Sequence, residues 1–429
     1  LGLVPKQNIP NYGEFYEVRH FAAGSREVSE VDVLGQTVPF GGNLLFSCRN
    51  LKGLVVGCEL CEDVWVMDPP STALAKAGAT VIVNLSASNE TVGKDTYRKS
   101  LIAATSARLL CGYVYASAGD GESTQDLVFS GHHMIAENGS VLAEAARFEN
   151  ETIFSELDIH KICHERRRMS TFVPENTETC VRIGFTLEKE ETKLTRTFAQ
   201  MPFVPSDETL KKERCEQILS IQAQGLKKRY EHTGAKTAVI GVSGGLDSTL
   251  ALLVTARAFD LLGKDRNDIL AVTMPCFGTT NRTYENACRL AQTLGAKLIE
   301  VNIREAVTRH FTDIGQDMDK HDVTYENGQA RERTQVLMDL ANQSNGLVIG
   351  TGDMSELALG WATYNGDHMS MYGVNVGVPK TLVRHLVAYC ANTCSESEKV
   401  LQEVLLDVLD TPVSPELLPP EDGKISQKT

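Results

Sequence analysis

The chain has 429 residues, enough for two or three domains each with its own core. Its residues are 42% hydrophobic and 23% charged, the ordinary balance of a soluble globular protein. A formal net charge of −14 argues against non-specific nucleic-acid binding, and the longest apolar runs fall far short of a bilayer span, with no signal peptide visible. Eleven cysteines, an odd number scattered along the chain, read as reduced thiols of a cytoplasmic protein. The chain opens Leu1-Gly2-Leu3-Val4 without Met and closes in a polar stretch around Pro419-Pro420-Glu421-Asp422, which reads as a piece trimmed at both ends.

Residues 1–190 are rich in short β-like runs at 54–57, 80–86, 113–118, 133–136 and 153–157, with helical patterns at 70–77 and 95–110. This is the alternation of a layered α/β domain, whose sites lie where strands end in small residues such as Ala87, Ser88, Ala118 and Gly119. The run from Leu54 to Leu60 is a strand leading into Cys61-Glu62-Asp63. A thiol on a sharp turn after a strand is exposed to substrate, and a nearby cation favours its reactive thiolate. Lys6, between Pro5 and Pro10 on a stiff segment, is a candidate for that cation. A buried inert thiol is the competing reading of Cys61, and Cys58-x-x-Cys61 is a possible redox or metal pair, although no second Cys-x-x-Cys completes a zinc site. His160, Cys163 and His164 sit beside Glu165-Arg166-Arg167-Arg168, which favours a solvated helix over a metal cluster. His132 and His133, read on a strand, face opposite sides.

Residues 191–210 lose periodicity, contain Pro202 and Pro205, and read as a linker. An amphipathic helix over 210–230 follows, then strands at 237–242, 269–274, 297–301 and 347–350 with helices between them. That series predicts a doubly wound parallel sheet with ligands at the C-terminal strand ends. Its first strand runs into Gly241-Val242-Ser243-Gly244-Gly245-Leu246-Asp247-Ser248. The glycines free backbone N–H groups to face an anion, the helix start adds donors and a positive dipole end, and Asp247 beside a phosphate calls for a cation, Mg²⁺. An ordinary Gly-rich turn with a polar cap is the alternative. No Gly-Lys-Ser/Thr follows, so this is not a Walker loop. Further along, Gly350-Thr351-Gly352-Asp353-Met354-Ser355-Glu356 follows a strand; Glu356 either shares the metal with Asp247 or is a first-turn charge on a helix capped by Asp353 or Ser355. Trp361 and Tyr364 are aromatics suited to stacking on a flat ring, or to ordinary packing.

Ser243-Gly244-Gly245-x-Asp247-Ser248 resembles the pyrophosphate loop of the ATP pyrophosphatases. Pro5-Lys6, Pro10-Asn11-Tyr12, Glu14 and Cys61-Glu62-Asp63 resemble the nitrilase-type amidohydrolases, and more closely the glutaminase domain of the glutamine-dependent NAD⁺ synthetases, whose synthetase domain resembles residues 205–410. The resemblance implies an α/β protein: part of a nitrilase-like αββα sandwich over 1–190 and a doubly wound parallel sheet over 211–429. It implies Cys61 as nucleophile with Lys6 and Glu14, the first triad glutamate lying upstream of Leu1, and a glutamine site of Tyr12, Ser88 and Lys94, where many relatives carry Arg in place of Lys94. It assigns Gly241 to Ser248, with Thr351 and Lys380, to ATP. Asp247 and Glu356 would hold Mg²⁺, and Asn327, Arg331, Glu356, Trp361, Thr363 and Tyr364 would approach deamido-NAD⁺, with residues 315–322 a mobile loop. It further implies a homo-oligomer, an ammonia tunnel and no nucleic-acid or membrane partner. Other pyrophosphate-loop ligases, such as GMP- or asparagine-forming enzymes, pair the loop with different glutaminase folds; a catalytically incomplete nucleotide-binding fragment is the remaining alternative.

Overall fold

The computed structural model describes the chain apart from residues 123–126, 176–179, 189, 192, 413–416 and 418–429. The chain divides into two compact units, Leu1–Phe198 and Ala199–Thr429.

The first unit holds β1 (Ser29–Val33), β2 (Gln36–Phe40), β3 (Leu44–Cys48), β4 (Val55–Leu60), β5 (Val81–Ser86), β6 (Gly112–Ser117), β7 (Met134–Glu137), β8 (Ser140–Glu144) and β9 (Val181–Phe185), with helices α1 (Pro70–Lys76), α2 (Lys94–Leu109) and α3 (Ile159–Arg168). β1 and β2 form a separate antiparallel ribbon, and the other seven strands form one sheet in the order β8-β7-β6-β5-β4-β3-β9. At its centre β4, β5 and β6 run parallel, so their C-terminal ends lie side by side. Alternation divides each strand between two faces. Ile82, Tyr113 and Tyr115 pack with residues of α1 and α2, including Leu74 and Ile102, whereas Val81, Val83 and Val114 pack with Ile159 and Ile162 of α3.

Residues 153–157, expected as a strand, are irregular. Leu157 packs in the α3 cluster, over the α-carbon of Gly112, so this segment covers a face of the sheet and does not extend it. His132 and His133 precede β7. His132 is buried between Arg98 Nη1 (3.0 Å) and Glu144 Oε1 (2.9 Å), and His133 Nδ1 accepts from Ser117 N, so the two have separate partners.

The second unit opens with α4 (Glu208–Thr233), capped by Asp207, whose side chain accepts from Leu210 N. Cys215, Leu219, Ala223, Leu226 and Tyr230 recur every three or four residues along it and are buried. Next come β10 (Ala238–Gly241), α5 (Leu246–Leu262), β11 (Ile269–Thr273), α6 (Asn281–Thr293), β12 (Lys297–Glu300), α7 (Arg304–Ile314), α8 (Val323–Ser344), β13 (Leu347–Gly350), α9 (Met354–Leu359), β14 (Tyr372–Gly373), α10 (Lys380–Asn392) and α11 (Lys399–Asp410). The sheet order is β12-β11-β10-β13-β14, and every pairing is parallel. Ala238 and Ile240 pack with helices α4, α5, α6, α10 and α11, while Val239 packs with α7 and α8 on the other face. The chain therefore winds outward both ways from β10, and the crevice between the ends of β10 and β13 is the topological switch point where such sheets bind ligands.

Candidate active sites

In the first unit the β4 ladder ends at Leu60, and Cys61 follows with φ of +48°, a left-handed conformation that costs a non-glycine residue about 1–2 kcal/mol. The turn is held from several sides. Asp63, fully buried, accepts from Leu60 N (2.9 Å), and from Asn8 N and Asn8 Nδ2 (2.8 Å each). One carboxylate thus closes the turn and ties the 5–10 segment against it. Cys61 N–H donates to Asn84 Oδ1 at 3.1 Å.

Cys61, Tyr12, Glu14, Ser88 and Lys94 converge on one cavity of about 270 Å³, together with Phe15, Glu62, Trp65 and Tyr97. The Tyr12 hydroxyl donates to Glu62 Oε1 at 2.7 Å; partial burial and that carboxylate push the phenol up to about 12, so it remains a neutral donor near pH 7. Glu14 is exposed, and its own backbone N–H together with Asn89 Nδ2 (2.6 Å) holds its carboxyl below the usual range. Lys94 donates to Asn89 Oδ1 and lies over the rings of Phe15 and Trp65, 5.6 and 5.5 Å from their centroids. Burial, helped by Arg98, pulls its ammonium below the ordinary lysine value. Arg98, fully buried on α2, pairs with Glu90 (3.1 Å) and donates to Asn89 O (3.1 Å) and Ser88 Oγ (3.3 Å), pinning the loop after β5.

The Lys6 ammonium pairs with Glu17 Oε2 at 2.5 Å, the carboxylate standing on a short 3₁₀ turn, Glu17–Arg19. The lysine that reaches the cavity is Lys94. Cys58 is half-buried, and that burial pushes its thiol up to about 11.

In the second unit the loop between β10 and α5 lines a cleft of about 500 Å³ at the switch point, with Gly241, Val242, Ser243, Gly245, Asp247, Ser248, Thr351, Glu356 and Trp361 on its walls. Gly244 has φ of +84°, and a Cβ there would sit 2.0 Å from Thr283 O, so only glycine lets the loop approach the start of α6 so closely. The serines brace the loop: Ser243 Oγ accepts from Gly245 N (3.2 Å), and Ser248 Oγ donates to Gly245 O (3.1 Å). Leu246 begins α5.

Three carboxylates meet beside this loop. One oxygen each from Asp247, Asp353 and Glu356 lies within 4.8 Å of the others, and among the described residues no other group of His, Cys, Asp or Glu side chains converges in this way. Asp353 caps α9 with Oδ1, accepting from Ser355 N and Glu356 N, while Glu356 Oε2 accepts from Asp353 N. Glu356 thus stands in the first turn of a helix capped by Asp353, and its Oε1 accepts from Lys380 Nζ. Lys380 Nζ lies 2.5 Å from Asp247, 3.1 Å from Glu356 and 3.2 Å from Asp353. Burial disfavours its charge, but Asp247 and Glu356 outweigh this and hold the ammonium above the ordinary lysine value. Burial likewise raises the carboxyl of Asp247, against the pull of Lys380. Asp247 Oδ1 is buried with no hydrogen-bond partner, and Asp353 Oδ2 has only its ion pair with Lys380. An all-oxygen donor set with an unsatisfied buried oxygen fits a hard divalent cation.

The remaining expected residues are dispersed. Asn327 is buried on α8 and is not on the cleft wall. Arg331 donates to Tyr364 O (3.2 and 3.1 Å), and Thr363 Oγ1 donates to Asp367; Arg331, Thr363 and Tyr364 are not on the cleft wall, whereas Asp367 is. The arginine on the wall is Arg333, two residues further along α8. Trp361 and Tyr364 are 65% and 72% exposed, free to meet a ligand ring. Asn375, fully buried, donates to both Asp247 O and Thr351 O (3.0 Å each) and so ties the first turn of α5 to the end of β13. No sequence pattern marked Asn375, Asn84 or Arg98. Asp353 was visible as a helix cap, though not as a member of the cluster.

Comparison with known proteins agrees with this division. Residues 218–403 match the family model described as NAD synthase, and residues 3–166 the model described as carbon-nitrogen hydrolase. The glutamine-dependent NAD(+) synthetase of Mycobacterium leprae (strain TN) is 44% identical over 445 residues, an alignment covering 100% of this chain and 65% of that protein. The protein of the same name from Mycobacterium tuberculosis (strain ATCC 25618 / H37Rv) is 45% identical over 434 residues, covering 98% and 64%. A solved glutamine-dependent NAD+ synthetase from Acinetobacter baumannii, in complex with adenosine diphosphate, aligns with 25% identity and a TM-score of 0.43, over 93% of this chain and 64% of that one. The chain thus spans a little under two thirds of the length of these relatives. The chain thus matches a carbon-nitrogen hydrolase model followed by an NAD synthase model, and along its whole length it is similar to the glutamine-dependent NAD(+) synthetases.

Proposed function

We propose that the chain carries the two catalytic centres of a glutamine-hydrolysing NAD⁺ synthetase, which amidates deamido-NAD⁺ at the expense of ATP. The observation that carries this reading is the carboxylate trio Asp247, Asp353 and Glu356 set against a Ser-Gly-Gly loop in one cleft, in a chain that also holds Cys61 on a strained turn in a polar cavity.

At the first centre the Cys61 thiolate attacks the side-chain amide carbon of glutamine. The C–N bond breaks, ammonia leaves with the added proton, and water then cleaves the thioester to glutamate. Tyr12, Ser88 and Lys94 orient the substrate, Lys94 with a single ammonium where an arginine would grip a carboxylate bidentately. Glu14 is the ionised carboxylate of the wall, and Lys6 is the further cation on the segment tied to the Cys61 turn by Asp63.

At the second centre the nicotinate carboxylate attacks the α-phosphorus of ATP and the bond to the β-phosphate bridging oxygen breaks, releasing pyrophosphate. The loop of residues 241–248 receives that pyrophosphate, aided by the α5 N-terminus, and Thr351 and Lys380 contact ATP. Ammonia attacks the acyl carbon and AMP departs. Asp247 and Glu356, joined by Asp353, would hold Mg²⁺, which supplies neutralisation of phosphate charge. Trp361 offers its exposed ring to a base or to the nicotinate, with Asn327, Arg331, Thr363 and Tyr364 flanking.

The test supplies ATP and deamido-NAD⁺ with either glutamine or ammonium. NAD⁺ and AMP should form in equal amounts. Cys61→Ser should lose glutamine-driven synthesis and keep ammonium-driven synthesis, because a serine hydroxyl is a far weaker nucleophile near pH 7. ADP in place of AMP, or unchanged glutamine use by Cys61→Ser, would refute the reading.

A further inference from the structure

We infer that Asn84, oriented by Tyr113 and Glu59, is the positioning residue that holds the Cys61 backbone in its strained turn and thereby aims its thiol; this rests on the reading of Cys61 as the nucleophile. β4 and β5 pair through Glu59↔Asn84 and Leu60↔Leu85, and the pairing stops there. Cys61 N–H has therefore left the ladder, and it takes the Asn84 side-chain oxygen in place of a strand carbonyl.

Asn84, Tyr113 and Glu59 are each fully buried, so their hydrogen bonds have no water to fall back on. Glu59 accepts on both oxygens: Oε2 from Ser71 N in the first turn of α1 (2.8 Å), and Oε1 from the Tyr113 hydroxyl (2.5 Å). With its proton spent on Glu59, the Tyr113 oxygen accepts from Asn84 Nδ2 (3.2 Å). That turns Asn84 Oδ1 towards Cys61 N, while the same oxygen also accepts from Ser86 Oγ (2.7 Å). Every donor in the chain points towards Glu59. Reversing the Asn84 amide would set an NH₂ against the Cys61 N–H and leave the left-handed residue without its acceptor. A buried carboxylate two residues upstream thus determines, through one phenol and one amide, which way the nucleophile's backbone is held.

The experiment compares the full chain with Tyr113→Phe and Asn84→Asp. Tyr113→Phe removes the hydroxyl that orients Asn84. Asn84→Asp retains an acceptor for Cys61 N–H but places a carboxylate beside the thiol. Carbamidomethylation of Cys61 by iodoacetamide is followed against pH on its own peptide by mass spectrometry, with the Cys48 peptide as internal reference. Glutamine hydrolysis and ammonium-driven synthesis are measured in parallel. Tyr113→Phe is expected to lower kcat for glutamine by roughly tenfold to a hundredfold, the scale set by misplacing a reacting group, with KM and ammonium-driven synthesis little changed and the Cys61 alkylation profile altered. Asn84→Asp is expected to move that profile to higher pH, because a nearby negative charge disfavours the thiolate. Unchanged Cys61 alkylation in both variants, or equal loss of glutamine- and ammonium-driven activity, overturns the inference. Should Tyr113→Phe fail to fold, the profile of Asn84→Asp decides alone. Failure of the nucleophile reading is told apart by Cys61→Ser: if that variant still hydrolyses glutamine the reading falls, whereas the alkylation profiles still report on the network.

Discussion

Lys380→Met tests the organisation of the second centre. Its ammonium now lies 2.5 to 3.2 Å from three carboxylates. At an effective dielectric of about 20, each such pair attracts by roughly 5 kcal/mol before desolvation is charged against it. Removing one partner of a fully buried pair costs about 3–5 kcal/mol. Here the lysine side chain is 46% exposed and Glu356 31%, so solvent screening reduces the expected loss to about 2 kcal/mol. For a unit of this size that corresponds to a fall in Tm of about 4–8 °C in metal-free buffer. Added Mn²⁺ should then behave unequally. In the parent it must displace a resident ammonium; in Lys380→Met it meets three uncompensated carboxylates. A hundredfold excess over Kd stabilises by about 2.7 kcal/mol, enough to restore the variant. Differential scanning calorimetry with and without millimolar Mn²⁺ measures both effects without reference to catalysis. If the variant melts like the parent in metal-free buffer, or gains no more from Mn²⁺ than the parent does, Lys380 does not compete for the cation position and the reasoning fails.

Gly244→Ala should abolish ATP-dependent synthesis while sparing glutamine hydrolysis, since a Cβ 2.0 Å from Thr283 O forces the loop out of place at a φ of +84°; normal ammonium-driven turnover would contradict the loop assignment. On α11, the bond from Arg282 holds the Asp407 carboxyl below its ordinary value of 3.8. A depressed carboxyl stabilises above its unfolded pKa and loses that contribution as pH falls through its folded one. Both side chains are more than a third exposed, so Asp407→Asn should destabilise by only about 0.5 kcal/mol at neutral pH. In urea titrations the difference should close as pH drops below 3.8; a pH-independent difference would show that the residue acts through packing.

The parallel core of the second unit was legible because strands buried on both faces read as unbroken apolar runs. β13 begins and ends where its pattern does, and β10, β11 and β12 differ from theirs only at the edges. β14 was not legible, because two residues, Tyr372 and Gly373, carry no period. β9 and the β1–β2 ribbon lie at the edge of the main sheet or outside it, and β3 is next to that edge, where short strands alternate weakly. Residues 153–157 show the converse error: an apolar run covers a sheet face as readily as it joins an edge, and periodicity cannot separate the two outcomes.

The sequence by itself marked residues of both candidate sites: a cysteine after a strand, a Ser-Gly-Gly-x-Asp-Ser loop, and a Glu just after a second strand. These are local, since a glycine at positive φ and a residue at a strand end are properties of a few consecutive positions. Tertiary structure alone decided the partners. Asp247 meets Asp353, Glu356 and Lys380 because β10 and β13 are spatial neighbours more than a hundred residues apart. Lys94 stands on the wall of the thiol cavity because α2 begins there, and Lys6 meets Glu17 on a short turn eleven residues further along. Asn84 reaches the Cys61 backbone only because β5 lies beside β4. Hydrogen bonds and ion pairs act over about 3 Å, and that proximity is set by how the sheet is wound.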